Sequence, residues 1–181
     1  MTIPTTPSAR ERRQIIDDFV GRAFAGVDPG APGAHVAQGM RQLPADSPDE
    51  PGAEQAEAWA ELARLVADES FGRRVRQMAL AGAEAGERPS YDPAPVIEHA
   101  GGAVAAGVAP GSPEGRLILD QIVDAGMPAE ERARLAAQVE TFTDRRVERY
   151  WKLMGVLNGR APFPSSAPAF EWFAAALRAH G

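Results

Sequence analysis

The 181-residue chain contains no cysteine. This absence excludes a disulfide framework, a thiolate metal site, an iron–sulfur cluster and a cysteine nucleophile. Lysine occurs once, as Lys152, so arginine supplies the other 18 of the 19 basic side chains. Together with many alanines, 18 glycines and 16 prolines, this bias is typical of the codon usage of a high-GC bacterium and is not a functional signal.

Long apolar runs are also absent. No stretch approaches the roughly 18 apolar residues that a membrane-spanning helix needs, and the N-terminal residues lack the basic and apolar segments of a secretory signal. The formal net charge is −6 and the pI is about 5.1, whereas nucleic-acid binders usually carry a basic face. We therefore expect a cytoplasmic protein that binds neither a membrane nor, directly, a nucleic acid.

Helix signals, by contrast, recur along the whole chain. Ser8 and Glu11 have the spacing of a capping box, and apolar residues follow them at intervals of three and four. The pairs Asp92-Pro93 and Ser112-Pro113 are typical helix starts, and Asn158-Gly159 is a typical stop. The sequence predicts an all-α fold, an irregular single-domain bundle of about nine short helices around one core. This domain spans residues 8–181 and follows a flexible segment, residues 1–7.

Known catalytic motifs are missing. The three histidines, His35, His99 and His180, are far apart, and no metalloprotease, phosphate-loop, dinucleotide or nucleophile-elbow motif occurs. Asp17 and Asp18 diverge by about 100° on a helix, so the two carboxylates cannot face one cation. We expect neither a metal nor a cofactor.

Glu98 and His99 form the best acid/base candidate in the chain. His99 lies on the flank of its helix's apolar face, where a histidine is most often bonded to a carbonyl or a water. The alternative is a polar group at the edge of a pocket, orienting a ligand or moving a proton. If the protein is an enzyme, the candidate catalytic residues are His99, Glu98 and Tyr91.

Consecutive aromatic residues suggest a cavity. Tyr150 with Trp151, and Trp172 with Phe173, point in different directions on their helices. At least one member of each pair must lie on the surface, between helices or against a cavity, and methionines add deformable apolar surface. The residues predicted to line a ligand are Trp59, Met78, Tyr91, His99, Trp151 and Met154.

Three stretches resemble a known family when taken together. They are EQAEAWAELARLV (54–66) followed by FGRRVRQMA (71–79), DRRVERYWKLM (144–154) with Asn158-Gly159, and FEWFAAALRAH (170–180). In this order they resemble the C-terminal, ligand-sensing region of actinobacterial MerR-family transcriptional regulators. They are similar, more loosely, to helical drug-binding domains of the TipA type, which bind hydrophobic natural products.

The resemblance implies a domain that binds an apolar or amphipathic small molecule between its helices. Regulators of this family begin with a winged helix-turn-helix, which is joined to the sensor by a long dimerisation helix. The present sequence enters the sensor-like region at its first helix, so we expect no DNA binding by this chain. A homodimer is an open alternative.

Three functions remain as hypotheses. The first is a ligand-binding protein that sequesters a natural product or drug, or that serves as a regulator's sensor. The second is a natural-product biosynthetic enzyme on the same scaffold, promoting a cyclisation or rearrangement by shape and proton transfer. The third is a protein-interaction module with a filled interior and an exposed apolar patch.

Overall fold

The computed structural model describes residues 7–44, 52–84 and 91–181, and within these ranges it contains nine helices and no strand. The predicted all-α bundle is confirmed. The predicted flexible segment, residues 1–7, lies outside the described residues except for Pro7. No helix in the described ranges is both long enough and apolar enough to cross a membrane.

The structure places nine helices along the described ranges. They are α1 (Ala9–Ala23), α2 (His35–Met40), α3 (Ala53–Ala67), α4 (Glu69–Glu84), α5 (residues 93–106), α6 (Pro113–Leu119), α7 (Ala129–Phe142), α8 (Arg145–Leu157) and α9 (Ala167–Ala179). Helix α5 is not regular, because a π-helical turn, Val96–Ala100, separates its α-helical parts, Pro93–Pro95 and Gly101–Ala106.

The helix ends are where the local sequence signals predict them. The Ser8 hydroxyl accepts a hydrogen bond from the Glu11 amide at 3.3 Å, and the Ser8 amide donates to the Glu11 carboxylate at 2.8 Å. Asp92 and Ser112 accept hydrogen bonds from backbone amides in the first turns of α5 and α6. Gly159 follows α8 with a φ of 63°, a left-handed conformation that favours glycine.

The chain divides into two compact units. Unit 1 comprises Met1–Glu87 and Arg146–Phe163, and so contains α1 to α4 and most of α8. At the centre of its core, the rings of Phe19 and Phe71 stack with centroids 5.5 Å apart. Tyr150 completes the group at 6.1 Å from Phe19 and 6.2 Å from Phe71. Phe19, Phe71 and Tyr150 lie on α1, α4 and α8, so these three helices are joined by one aromatic cluster.

Unit 2 comprises Arg88–Arg145 and Pro164–Gly181, and contains α5, α6, α7 and α9. Helix α9 provides the largest share of its core, with Phe173, Ala176 and Leu177 fully buried. The Trp172 indole donates a hydrogen bond to the Val108 carbonyl at 2.7 Å, which ties α9 to the end of α5.

The buried apolar side chains form two clusters, one within each unit, where the sequence predicts one core. Apolar periodicity shows which face of each helix is buried. It does not show which helices share a cluster, so the sequence pattern is compatible with either arrangement.

Candidate functional site

Four of the six predicted ligand-lining residues lie in unit 1. Trp59 and Met154 are 4% and 3% exposed and belong to the core cluster. Trp151 is half-buried and packs edge-on against Tyr150 with ring centroids 5.8 Å apart. Met78 is half-buried on α4. Trp59 and Met154 thus serve the packing of the core.

Trp151 also packs against α2. A Cβ placed on Gly39 would lie 3.3 Å from Cη2 of the Trp151 ring, which is closer than an ordinary contact. The indole therefore covers the backbone of α2 where a glycine leaves space for it.

The other two predicted ligand residues, Tyr91 and His99, lie in unit 2 with Glu98. Tyr91 packs against the rings of Phe170 and Phe173, at 6.4 and 5.8 Å between centroids. Burial raises the pKa of Tyr91 above its ordinary value, which makes its phenol a weaker proton donor than an exposed tyrosine.

Glu98 and His99 lie in the π-helical turn, Glu98 exposed and His99 half-buried. Within the described residues, neither side chain forms an ion pair or a hydrogen bond that would orient it. A general base is usually held in position by such a partner. The pair is thus available to a ligand but is not pre-arranged for proton transfer.

The described residues of unit 1 form clefts that the sequence does not predict, among them the Arg22 cleft and the His35 cleft. The Arg22 cleft lies between the end of α1, the end of α3 and the start of α4. Its volume is about 410 Å³, within the size range of ligand pockets. It is lined by Phe19, Arg22, Ala23, Val66, Ala67, Asp68, Glu69, Gly72, Arg73 and Arg76.

The floor of the Arg22 cleft is apolar. Phe19, Ala23 and Val66 come from the buried faces of α1 and α3. Gly72, on α4, also lines the cleft, and a Cβ at this position would lie 3.9 Å from Cε2 of Phe19. That is an ordinary contact distance, so a larger side chain at position 72 would extend into the cleft.

The two acids at the rim already have partners. Glu69 lies 3.6 Å from the Arg73 guanidinium, one turn along α4. Asp68 accepts a hydrogen bond from the Ser70 amide at 2.8 Å and lies 3.7 Å from Arg146. Hydrogen bonds from Ser70 hold the pKa of Asp68 below its ordinary value, so this carboxylate stays ionised near neutral pH.

The remaining arginines, Arg22 and Arg76, have no acidic partner within the described residues. Nη1 of Arg76 donates to the carbonyl oxygens of Ala25, at 2.7 Å, and Arg22, at 3.4 Å. These bonds hold the Arg76 guanidinium at the C-terminal end of α1. The Arg22 side chain is exposed and forms no such bond in the described part of the chain.

The His35 cleft, of about 430 Å³, lies beside α2 in the same unit. It is lined by Phe24, Val27, Pro29, Ala34, His35, Ala37, Gln38 and Arg41. Arg41 lies 3.6 Å from Asp17, so its charge is already balanced by a carboxylate. The Arg22 cleft differs in having both a buried apolar floor and unbalanced cations, and it is the stronger candidate site.

The described ranges contain no group of three histidine or acidic side chains that could hold a metal ion. No family model, no curated protein and no solved structure matches the chain.

Proposed function

We propose that this protein binds an amphipathic small molecule in the Arg22 cleft. The observation that carries the proposal is the combination of a buried apolar floor with an arginine rim in one cleft of about 410 Å³. Ligand sites typically combine an apolar lining with a few polar groups that fix the ligand's orientation.

The floor supplies the driving force in this account. Apolar ligand surface covered by this floor would contribute roughly 25 cal/mol per Å², before the cost of immobilising the ligand. The arginines then select the orientation of the ligand. The expected affinity is therefore moderate, and the bound molecule contacts α1, α3 and α4 together.

The resemblance to ligand-sensing regions of MerR-family regulators supports the same class of function. Under this proposal the protein acts by sequestering a natural product or drug, or as a sensor whose helices rearrange on binding. A ligand can shift such an arrangement only by its difference in affinity for the two states.

The proposal can be tested with the neutral apolar dye N-phenyl-1-naphthylamine, whose fluorescence rises in an apolar site. Gly72→Leu places a side chain in the cleft and should weaken dye binding by at least about tenfold, the equivalent of roughly 1.4 kcal/mol. The matched control is Gly102→Leu on α5, because Gly102 is an exposed helical glycine whose added Cβ would meet no atom within 4 Å.

Equal affinity of the two variants would contradict the proposal. Thermal unfolding of both variants checks that each is folded. An absence of dye binding by the wild-type protein would instead favour an interaction module.

Catalysis is the alternative, and the π-helical turn that carries Glu98 and His99 is the observation in its favour, since such turns often occur at functional sites. Incubation with natural-product pathway intermediates, followed by mass analysis, would reveal a product. Loss of that product in His99→Gln, with Glu98→Gln as a second variant, would support the enzyme hypothesis. Unchanged masses across the panel would contradict it.

A further inference from the structure

We infer that the ligand of the Arg22 cleft is an organic anion with an apolar body, bound by its anionic group at Arg22 and Arg76. This inference rests on the proposed function, and it adds the chemical class of the ligand.

The charges at the rim support an anion. Among the five charged side chains of the cleft, Glu69 is paired with Arg73, and Asp68 is near Arg146. Arg22 and Arg76 remain without a carboxylate in the described residues. An anion entering the cleft therefore meets two unbalanced cations, whereas a cation would have to displace an existing pair.

The two arginines have different roles. The Arg76 guanidinium is held by the Ala25 and Arg22 carbonyls, so it presents a charge at a fixed position. The Arg22 guanidinium is exposed and unengaged, and its planar fork can close on a carboxylate or sulfonate with two parallel hydrogen bonds. Arg22 is thus the residue whose removal should affect the ligand without affecting the end of α1.

The apolar floor of the Arg22 cleft favours a ligand with an apolar body over a small inorganic anion. Phe19, Ala23 and Val66 form the bottom of the cleft, so a bound phosphate would place a strongly hydrated ion against apolar side chains. A molecule with an aromatic or aliphatic body covers the floor while its charged group reaches the rim.

The test compares two dyes with the same ring system. 8-Anilinonaphthalene-1-sulfonate carries a sulfonate, and N-phenyl-1-naphthylamine is neutral. The wild-type protein should bind the sulfonate dye roughly tenfold more tightly, as expected for a charge-assisted bidentate contact. Raising the salt concentration from about 50 to about 500 mM should weaken only the sulfonate dye, because screening acts on the charged contact.

Two variants test whether Arg22 causes the preference for the sulfonate dye. Arg22→Gln should remove most of the preference for the sulfonate dye over the neutral dye. Arg10→Gln is the matched control, since Arg10 is exposed on the first turn of α1 and makes no ion pair or hydrogen bond in the described residues. It should leave both affinities unchanged.

The outcomes separate the two claims. If neither dye binds, the proposed function fails. If the neutral dye binds but the sulfonate dye has no advantage, or if Arg22→Gln preserves that advantage, the inference of an anion fails and the proposed function stands.

Discussion

The hydroxyl of Tyr150 donates a hydrogen bond of 2.6 Å to the carbonyl oxygen of Met40, 110 positions earlier in the chain. The Tyr150 side chain is fully buried, and burial raises its pKa well above the ordinary value for a phenol. The hydroxyl therefore remains a donor throughout the accessible pH range. This bond ties α8 to the end of α2, at the edge of the aromatic cluster.

Replacing Tyr150 with phenylalanine should lower the free energy of unfolding by about 1–3 kcal/mol, because the Met40 carbonyl would lose its buried partner. Urea denaturation measures the change. Tyr91→Phe is the control, since the half-buried Tyr91 hydroxyl makes no hydrogen bond within the described residues. If Tyr91→Phe lowered the free energy of unfolding as much as Tyr150→Phe, the hydrogen bond from Tyr150 to Met40 would not be the cause of the loss of stability.

Two helical glycines should respond oppositely to alanine. An alanine Cβ at Gly72 would make an ordinary contact with Phe19, so Gly72→Ala should raise the free energy of unfolding by about 0.5–1 kcal/mol through helix propensity. At Gly115 the Cβ would lie 2.5 Å from the Ala109 oxygen and 2.7 Å from the Pro110 oxygen. Gly115→Ala should therefore cost about 2 kcal/mol or more, since backbone would have to move.

Thermal denaturation of both glycine variants distinguishes these outcomes. A melting temperature that falls in Gly72→Ala, or rises in Gly115→Ala, would contradict the packing described for the two positions.

Arg132 on α7 is a buried cation that braces the end of α9. It is 3% exposed and donates to the His180 carbonyl at 2.6 Å and to the Ala125 carbonyl at 2.8 Å. Arg132→Met should cost about 2–4 kcal/mol, because the charge-assisted hydrogen bonds to two carbonyls are lost. Arg134→Met, on the exposed side of the same helix, should change the free energy of unfolding by less than about 0.5 kcal/mol.

The Arg132 and Arg134 variants are compared by chemical denaturation at neutral pH. Equally small changes in the free energy of unfolding for the two variants would contradict the prediction, because they would mean that water replaces the hydrogen bonds of Arg132 at no cost.

The Glu61–Arg149 pair has N···O distances of 2.6 and 2.5 Å. It should make a small, pH-dependent contribution to the free energy of unfolding. The hydrogen bonds from Arg149 hold the pKa of Glu61 below its ordinary value. The stabilisation is therefore fully present above the unfolded-state pKa, about 4.3, and is lost as the pH falls through the lower folded-state pKa. The side chains are 40% and 50% exposed, so its size at pH 7 should be about 0.5 kcal/mol.

Urea denaturation of Glu61→Gln across the acidic range checks this prediction. The difference from wild type should shrink as the pH decreases. Glu57→Gln, an exposed position on the same helix with no ion pair in the described residues, should show no such trend. A difference that grows in acid would contradict the direction of the pKa shift.

The local signals in the sequence predict several helix ends correctly, since a cap depends only on neighbouring residues. The capping box of Ser8 and Glu11 is one case, and the stop at Gly159 is another. The π-helical turn in α5 was not predicted, because a shift in the hydrogen-bond register leaves no signature in apolar spacing.

The candidate site was harder to predict. Trp59 has the spacing of a core residue, and its sequence neighbours do not reveal whether core or cavity surrounds it. The Arg22 cleft combines residues from three helices, of which Arg22 alone indicates a solvated helix end and Gly72 alone a weak point in a helix. Only their arrangement in space gives the cleft its apolar floor and its unbalanced charge.

The most direct test of the central claim is an amide NMR titration with N-phenyl-1-naphthylamine. If the ligand occupies the Arg22 cleft, the amide signals of Ala23, Val66 and Gly72 should shift and saturate at the affinity measured by fluorescence. If the dye binds while these three signals stay in place and signals elsewhere move, the cleft is not the binding site.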